Sequence, residues 1–196
     1  MPLLELHRRR LATSCRILGI PHPSALHLPS GGPDRVARLQ VDADGATVNE
    51  RPLGSVKPVS LMTSRVVHEP YRHKVVERGL FDRALEEARQ AGADDAILLT
   101  RQGHVAEAAV WCVFWWEGTT LCAPAMGIGI LPGVSRARIV QLAGPVSERR
   151  ATRAEIEGRP LFVSNAARGI VPVAVLDGQT VPESPETALL QEAFWT

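Results

Sequence analysis

The stretch from residue 73 to residue 136 constrains the fold most, because helix and strand patterns alternate within it and turn signals separate them. In order, the patterns predict a helix over 74–91, a strand over 96–100, a turn over 101–103, a long strand over 105–116, a short partner strand over 119–123 and a helix that begins within LPGVSR. Strands joined by such short turns favour hairpins over strict βαβ alternation. The stretch therefore predicts a mixed α and β fold.

The flanking sequence predicts a smaller unit before this stretch. Before the stretch, the patterns predict in order a helix over 3–19 that stops at Gly19, a loop over 21–34, a hairpin around Asp44-Gly45, a linker over 52–58 and a strand in VSLMTSRVV. After it, they predict strands in PLFVSN and GIVPVAVLDG and a last helix that Ser184-Pro185 begins. We expect a small N-terminal domain over residues 1–55 and a larger domain over residues 56–196.

Composition excludes several classes of function. The formal net charge of +1 offers no global field to attract nucleic acid. No apolar run approaches the roughly 20 residues of a membrane span, so we expect a cytoplasmic protein with no membrane contact. Three cysteines without CxxC spacing favour free thiols over a disulfide framework or a metal site.

Lysine is rare in this chain. Only Lys57 and Lys74 are lysines among the 22 Lys and Arg residues, so arginine serves almost everywhere that a surface cation suffices. Arginine cannot replace an amine that loses its proton and forms an imine. Lys57 precedes a proline in the predicted linker and is interpreted as a solvated cation. Lys74 is therefore the candidate nucleophile.

Two other features complement Lys74. The Pro-Gly turn in LPGVSR opens a helix whose first amides, at Val134 and Ser135, can bind a phosphate, although such a turn is more often only a turn. Glu107 is an acid that can hold a ring nitrogen protonated. An imine-forming lysine, an acid and a phosphate site are the parts that pyridoxal 5′-phosphate (PLP) requires.

The order of these motifs resembles a known family. HK, ADDAILLTRQGHVAEAAVWCVF, ILPGVSR and LFVSNAARGIVPV follow one another as in the class IV aminotransferases of fold type IV, PLP enzymes that include branched-chain and D-amino-acid aminotransferases and 4-amino-4-deoxychorismate lyase. The resemblance implies a D-amino-acid aminotransferase-like fold, a homodimer and a small-molecule amino substrate. It implies an imine at Lys74, a ring-nitrogen contact at Glu107, and phosphate contacts at Val134, Ser135 and Arg10.

The chain departs from the family pattern at four places. Cys112 stands where the family usually has Asn, and Gly79 stands where branched-chain enzymes have Tyr. Ala166 replaces the Thr or Ser of a phosphate loop. The chain also begins almost at the helix that carries Arg10, so we expect the first strands of the family to be absent, which favours a non-catalytic member as one alternative.

Three weak signals favour the lyases within the family. Asn165-Ala166 resembles the lyase phosphate loop, Arg78 lies four residues after the lysine as in the lyases, and Arg168 occupies the Arg of a lyase-like Arg-Gly pair, where it would bind substrate. The resemblance thus implies a lyase that releases pyruvate to give 4-aminobenzoate. A class IV aminotransferase acting on branched-chain or D-amino acids is the alternative.

Overall fold

The computed structural model describes residues 3–23, 25 and 35–196, which divide into two compact units, Met1–Val56 and Lys57–Thr196. In the first unit, α1 spans Leu4–Leu18 and ends at Gly19, whose φ of 66° is left-handed. Strands β1 (Arg35–Asp42) and β2 (Gly45–Pro52) pair as an antiparallel hairpin. These elements confirm the predicted helix and hairpin, whereas most of the predicted loop over 21–34 lies outside the described residues.

The second unit contains the remaining helices and strands. In chain order these are β3 (Val59–Val67), α2 (Gly79–Gln90), β4 (Asp95–Leu99), β5 (Val105–Ala108), β6 (Cys112–Glu117), β7 (Thr120–Pro124), α3 (Val134–Ala143), β8 (Ser147–Arg149), β9 (Leu161–Asn165), β10 (Gly169–Leu176), β11 (Gln179–Thr180) and α4 (Pro185–Ala193). The strands form one mixed sheet in the order β5-β4-β3-β10-β9-β6-β7-β8, with β11 paired to β10. The predicted mixed α and β fold is confirmed.

The core of this unit lies on both sides of the sheet. Trp115 and Phe162 are fully buried and Trp116 is nearly so, so the tryptophans of β6 are packing residues. On α2, Phe81, Ala84 and Ala88 pack against β4. This packing fixes the ends of the strands that lead to the candidate site.

Helix α2 begins at Gly79, so the prediction of a helix from Lys74 is wrong at its start. The N–H of Val75 donates to the Tyr71 hydroxyl at 3.1 Å and to the carbonyl of His73 at 3.0 Å, so it makes no helical i→i−4 bond. Lys74 consequently lies on an exposed loop between β3 and α2, where its amine is not confined by a helix.

The predicted long strand over 105–116 is also wrong, because it is two strands, β5 and β6. The buried carboxylate of Asp95 accepts the N–H of Ala109 at 3.2 Å and the N–H of Val110 at 3.0 Å. The N–H of Ala109 also donates to the carbonyl of Ala96 on β4 at 3.1 Å, whereas the N–H of Val110 is directed at the Asp95 side chain, so pairing with β4 ends there and the chain turns. Strand β5 then pairs with β4, and β6 pairs with β9.

Candidate cofactor-binding site

Glu107 lies on β5 and is 7% exposed. Its Oε1 accepts a hydrogen bond from Nε2 of His68 at 3.0 Å and a longer one from the N–H of Leu131 at 3.4 Å. Its Oε2 has no hydrogen-bond partner within residues 35–196. A carboxylate held at one oxygen can accept a proton donor, such as a protonated ring nitrogen, at the other.

The start of α3 forms the second part of the site. Gly133 is its N-cap, and no side chain caps this end, so the first amides, at Val134 and Ser135, have no partner within the helix. A Cβ on Gly133 would lie 2.6 Å from Sγ of Cys112, so glycine is required here by close packing. The N-terminus of this helix is an arrangement that suits a phosphate.

Two serines and a cysteine fix the position of this helix start. Oγ of Ser164, on β9, donates to Oγ of Ser135 at 3.0 Å, and Oγ of Ser135 donates to Sγ of Cys112 at 3.9 Å. Cys112 opens β6, so the start of α3 is tied to two neighbouring strands. No sequence pattern predicted this contact of Ser164, because a buried strand serine has no characteristic spacing.

Several of the predicted site residues lie close enough to the Cys112 thiol to change its pKa. Burial raises the pKa of Cys112, and the negative charge of Glu107 raises it further. The Ser135 hydrogen bond and the positive charges of Arg136 and Lys74 act in the opposite direction. The thiol stays neutral, and Lys74, Glu107 and Ser135 all lie within electrostatic reach of it.

The loop between β9 and β10 is shaped by Asn165. Its Oδ1 accepts the N–H groups of Ala167 at 3.0 Å and Arg168 at 2.9 Å, and its Nδ2 donates to the carbonyl of Val110 at 3.5 Å. The Asn165 side chain thus holds the loop together. Roles of Asn165 and Ala166 in holding the cofactor, and of Arg168 in holding substrate, remain predictions.

Arg10 lies on α1 in the N-terminal unit and is half-buried, and its predicted contact with the cofactor phosphate also remains a prediction. Cys15, Cys112 and Cys122 are free thiols, as predicted. His68 was missed, because a lone histidine in an irregular segment carries no pattern. Its contact with Glu107 can be recognised once the positions of β3 and β5 in the fold are known.

The donor set fits PLP. An exposed lysine amine on a loop suits an imine. Oε2 of Glu107, which has no partner among residues 35–196, suits the ring nitrogen, and the start of α3, which no described side chain caps, suits the phosphate. All three belong to the second unit, and the neutral thiol of Cys112 lies among them. The arrangement can therefore hold the cofactor through its imine-forming carbon, its ring nitrogen and its phosphate.

The sequence matches the family described as Amino-transferase class IV over residues 44–176. It is 30% identical over 120 residues to the branched-chain-amino-acid aminotransferase of Pseudomonas aeruginosa, covering 57% of this chain and 39% of that protein. With the Escherichia coli K12 enzyme of the same name it shares 32% over 117 residues, covering 56% and 38%. The chain thus spans about two fifths of the length of these curated relatives.

Solved structures show the same fold. The branched-chain aminotransferase from Thermoproteus uzoniensis with norvaline gives a TM-score of 0.82 at 24% identity, covering 98% of this chain and 77% of that one. A Legionella pneumophila protein named "Putative 4-amino-4-deoxychorismate lyase" gives 0.78 at 24%, covering 97% and 85%. A hypothetical aminotransferase from Mycobacterium tuberculosis in a PLP-bound form gives 0.82 at 21%, covering 98% and 82%. Within the described residues, no helix is long and apolar enough to cross a membrane.

Proposed function

This chain belongs to the amino-transferase class IV family, whose enzymes depend on PLP, and on that premise we propose that it is a PLP-dependent lyase similar to 4-amino-4-deoxychorismate lyase. The proposed reaction releases pyruvate from 4-amino-4-deoxychorismate and leaves 4-aminobenzoate. The observation that carries the cofactor assignment is the grouping of Lys74, Glu107 and the start of α3 in one unit.

Each residue has a defined task in this proposal. The amides of Val134 and Ser135 bind the phosphate, with the helix dipole of α3 favouring its negative charge. The free Oε2 of Glu107 accepts the hydrogen bond of the protonated ring nitrogen. When bound, PLP supplies an electron sink for the pair that is left when a proton leaves the substrate.

Lys74 moves the proton. Its amine would hold the cofactor and, when not bound to it, would remove the proton from the ring carbon that bears the substrate nitrogen. The electron pair of that C–H bond enters the substrate ring as the C–O bond to the enolpyruvyl group breaks. The departing enolpyruvate takes up a proton and becomes pyruvate, and the aromatic ring of the product supplies the driving force.

The lyase branch is supported by what stands where aminotransferases have hydroxyl groups. Gly79 begins α2 and offers no phenol to the cofactor, and Ala166 offers no hydroxyl to the phosphate. Arg78, beside Gly79, directs its guanidinium to the carbonyl of Ala109 and stacks on Phe81. Arg78 and Ala166 match the lyase-like pattern of the sequence, and Gly79 departs from the pattern of the branched-chain enzymes.

A class IV aminotransferase is the second candidate, and the curated sequence relatives favour it, since those quoted above are branched-chain-amino-acid aminotransferases. In that reaction Lys74 would return the proton to the carbon of the cofactor's aldehyde group. The nitrogen would then pass to a keto acid.

One experiment tests the cofactor role of Lys74 that both candidates share. The protein is mixed with PLP, its visible absorbance is recorded, and borohydride is added to fix the cofactor, whose site is located by peptide mass spectrometry. Lys74→Arg should abolish the fixation, while Lys57→Arg, the matched control at the other lysine, should leave it unchanged. Protein that stays colourless with added PLP would contradict both candidates and favour a non-catalytic member.

Turnover then decides between the reactions. The lyase should release pyruvate and 4-aminobenzoate from 4-amino-4-deoxychorismate with no added keto acid. Conversion of leucine or a D-amino acid that depends on 2-oxoglutarate, without pyruvate release, would remove the lyase proposal. As part of the same proposal the protein is a cytoplasmic homodimer, which light scattering of the PLP-loaded protein would test.

A further inference from the structure

His68 lies directly behind the acid of the candidate site. It follows β3 and is fixed there by its own backbone, whose N–H donates to the carbonyl of Leu99 at 2.8 Å. Its side chain is 1% exposed, and its Nε2 lies 3.0 Å from Oε1 of Glu107. A histidine with this burial and this backbone anchor has little freedom to turn away from the carboxylate.

The hydrogen bonding of His68 is directed to Glu107 alone. Within residues 35–196 its other ring nitrogen, Nδ1, is buried and has no hydrogen-bond partner. A buried polar atom without a partner costs free energy, so packing against Phe81 alone would favour an apolar side chain here. The bond to Glu107 is the feature of this position that an apolar residue could not supply.

The geometry also divides the two oxygens of Glu107. His68 and the N–H of Leu131 both direct their protons to Oε1, which leaves Oε2 without a partner among residues 35–196. Donors on Oε1 stabilise the ionised carboxylate and restrict its rotation. The free oxygen is thereby kept in one orientation.

We propose that His68 is a positioning residue for Glu107, which holds Oε1 so that the charged Oε2 meets the ring nitrogen of the cofactor. This inference rests on the proposed function, because it needs a cofactor at Glu107. His68 touches no reacting atom itself. Its effect passes through the orientation and charge of the carboxylate, as partners of a ligating side chain act elsewhere.

The test compares two substitutions at the same position. In His68→Gln the side-chain amide retains an N–H donor near the position of Nε2, whereas His68→Phe retains a ring without a donor. His104→Phe is the matched control, because His104 lines the same cavity of about 510 Å³ as His68 and makes no side-chain hydrogen bond to Glu107 among the described residues. PLP affinity is measured by titration, and the absorbance maximum of the bound cofactor reports the protonation of its ring.

We expect His68→Phe to bind PLP about tenfold more weakly, which corresponds to about 1.4 kcal/mol, with a shifted absorbance maximum. His68→Gln and His104→Phe should resemble the wild type in both readouts. Circular dichroism and thermal unfolding without cofactor check that each variant is folded. If His68→Phe does not fold, His68→Met takes its place, because methionine also lacks a donor and fills irregular space.

Three results would overturn the inference. Equal affinity and an unchanged spectrum in folded His68→Phe would show that Glu107 needs no help from His68. Equal losses in His68→Gln and His68→Phe would show that a hydrogen-bond donor at this position does not maintain the PLP affinity. Wild-type protein that takes up no PLP would overturn the proposed function and this role with it, a failure that is seen before any variant is made.

Discussion

Two buried carboxylates on neighbouring strands have opposite surroundings. Asp95, at the start of β4, is 0% exposed, and both its oxygens accept backbone amides, from Ala96, Ala109 and Val110. Glu107, on β5, is held at one oxygen and has the other without a partner among residues 35–196. A saturated carboxylate shapes the backbone, whereas a half-satisfied one has bonding capacity left for a ligand.

The two acids also differ in the groups that surround them. Burial raises the pKa of Asp95 from an ordinary 3.8 to about 6, and its amide hydrogen bonds and the charge of Arg78 oppose the rise. Glu107 instead accepts a hydrogen bond from His68, which lies outside β4 and β5. We interpret Asp95 as the acid that turns the chain between β5 and β6, and Glu107 as the acid that this turn delivers to the site.

Asp95→Ala should give the largest effect. It removes the carboxylate acceptor of the Ala96 and Val110 amides, while the N–H of Ala109 keeps the carbonyl of Ala96. Each of the two losses costs about 1 to 3 kcal/mol, so we expect a loss of about 2 to 6 kcal/mol in the free energy of unfolding. Urea denaturation followed by tryptophan fluorescence measures it. Asp82→Ala, at an exposed acid on α2, is the matched control and should change stability by less than about 1 kcal/mol. A small loss in Asp95→Ala would show that the turn does not depend on its carboxylate.

Glu107→Gln should give the converse result. The Gln oxygen still accepts the His68 hydrogen bond, so we expect the stability of the cofactor-free protein to change little. The neutral amide cannot stabilise a protonated ring nitrogen, and kcat should fall by about 10² to 10³, as when an electrostatic stabiliser is removed. The measurement is the rate of whichever turnover the wild type performs with saturating PLP. Unaltered kcat would place the functional acid elsewhere.

The pH dependence of stability separates the two acids further. Native Asp95 keeps its proton up to about pH 6, whereas the unfolded chain loses it near its ordinary pKa of 3.8. Between these values the native state binds more protons, so stability falls as pH rises and levels off above about pH 6. At 1.36 kcal/mol per pKa unit the fall is about 3 kcal/mol.

Asp95→Asn has no proton to lose, so the stability difference between wild type and this variant isolates the effect. We expect the advantage of the wild type to shrink by about 2.5 kcal/mol from pH 4 to pH 7 in urea denaturation. Other acids titrate in both proteins and cancel. A constant difference across this range would mean that Asp95 is ionised in the folded protein already at pH 4.

The contrast also explains what the sequence could predict. Lys74, Glu107 and the LPGVSR turn could be proposed because rare lysine, ordered motifs and a helix start leave a pattern in the chain, and the fold predicted with them is confirmed. The break between β5 and β6 was not predicted, because its cause is Asp95, which lies on another strand. His68 and Ser164 were missed for the same reason, since each acts through a contact between segments distant in sequence.

Arg78→Gln should give the smallest effect and would sharpen the assignment of Asp95. The guanidinium of Arg78 donates to the carbonyl of Ala109 and lies over the ring of Phe81, and its charge lowers the pKa of Asp95. Losing these contacts should cost about 1 to 2 kcal/mol of stability. Removing the charge should also raise the pKa of Asp95 further. The stability difference between Arg78→Gln and the double variant Arg78→Gln/Asp95→Asn should therefore level off at a higher pH than the difference between the wild type and Asp95→Asn.

Arg83→Gln, on the exposed side of α2, is the matched control and should move neither quantity. PLP affinity should be almost unchanged in Arg78→Gln, because the described contacts of Arg78 lead to Asp95 and the turn, with none to Glu107. Weakened PLP binding with an unmoved Asp95 transition would reverse the interpretation. Arg78 would then be part of the cofactor site. Asp95 could no longer be separated, together with its neighbour Arg78, from the site that contains Glu107.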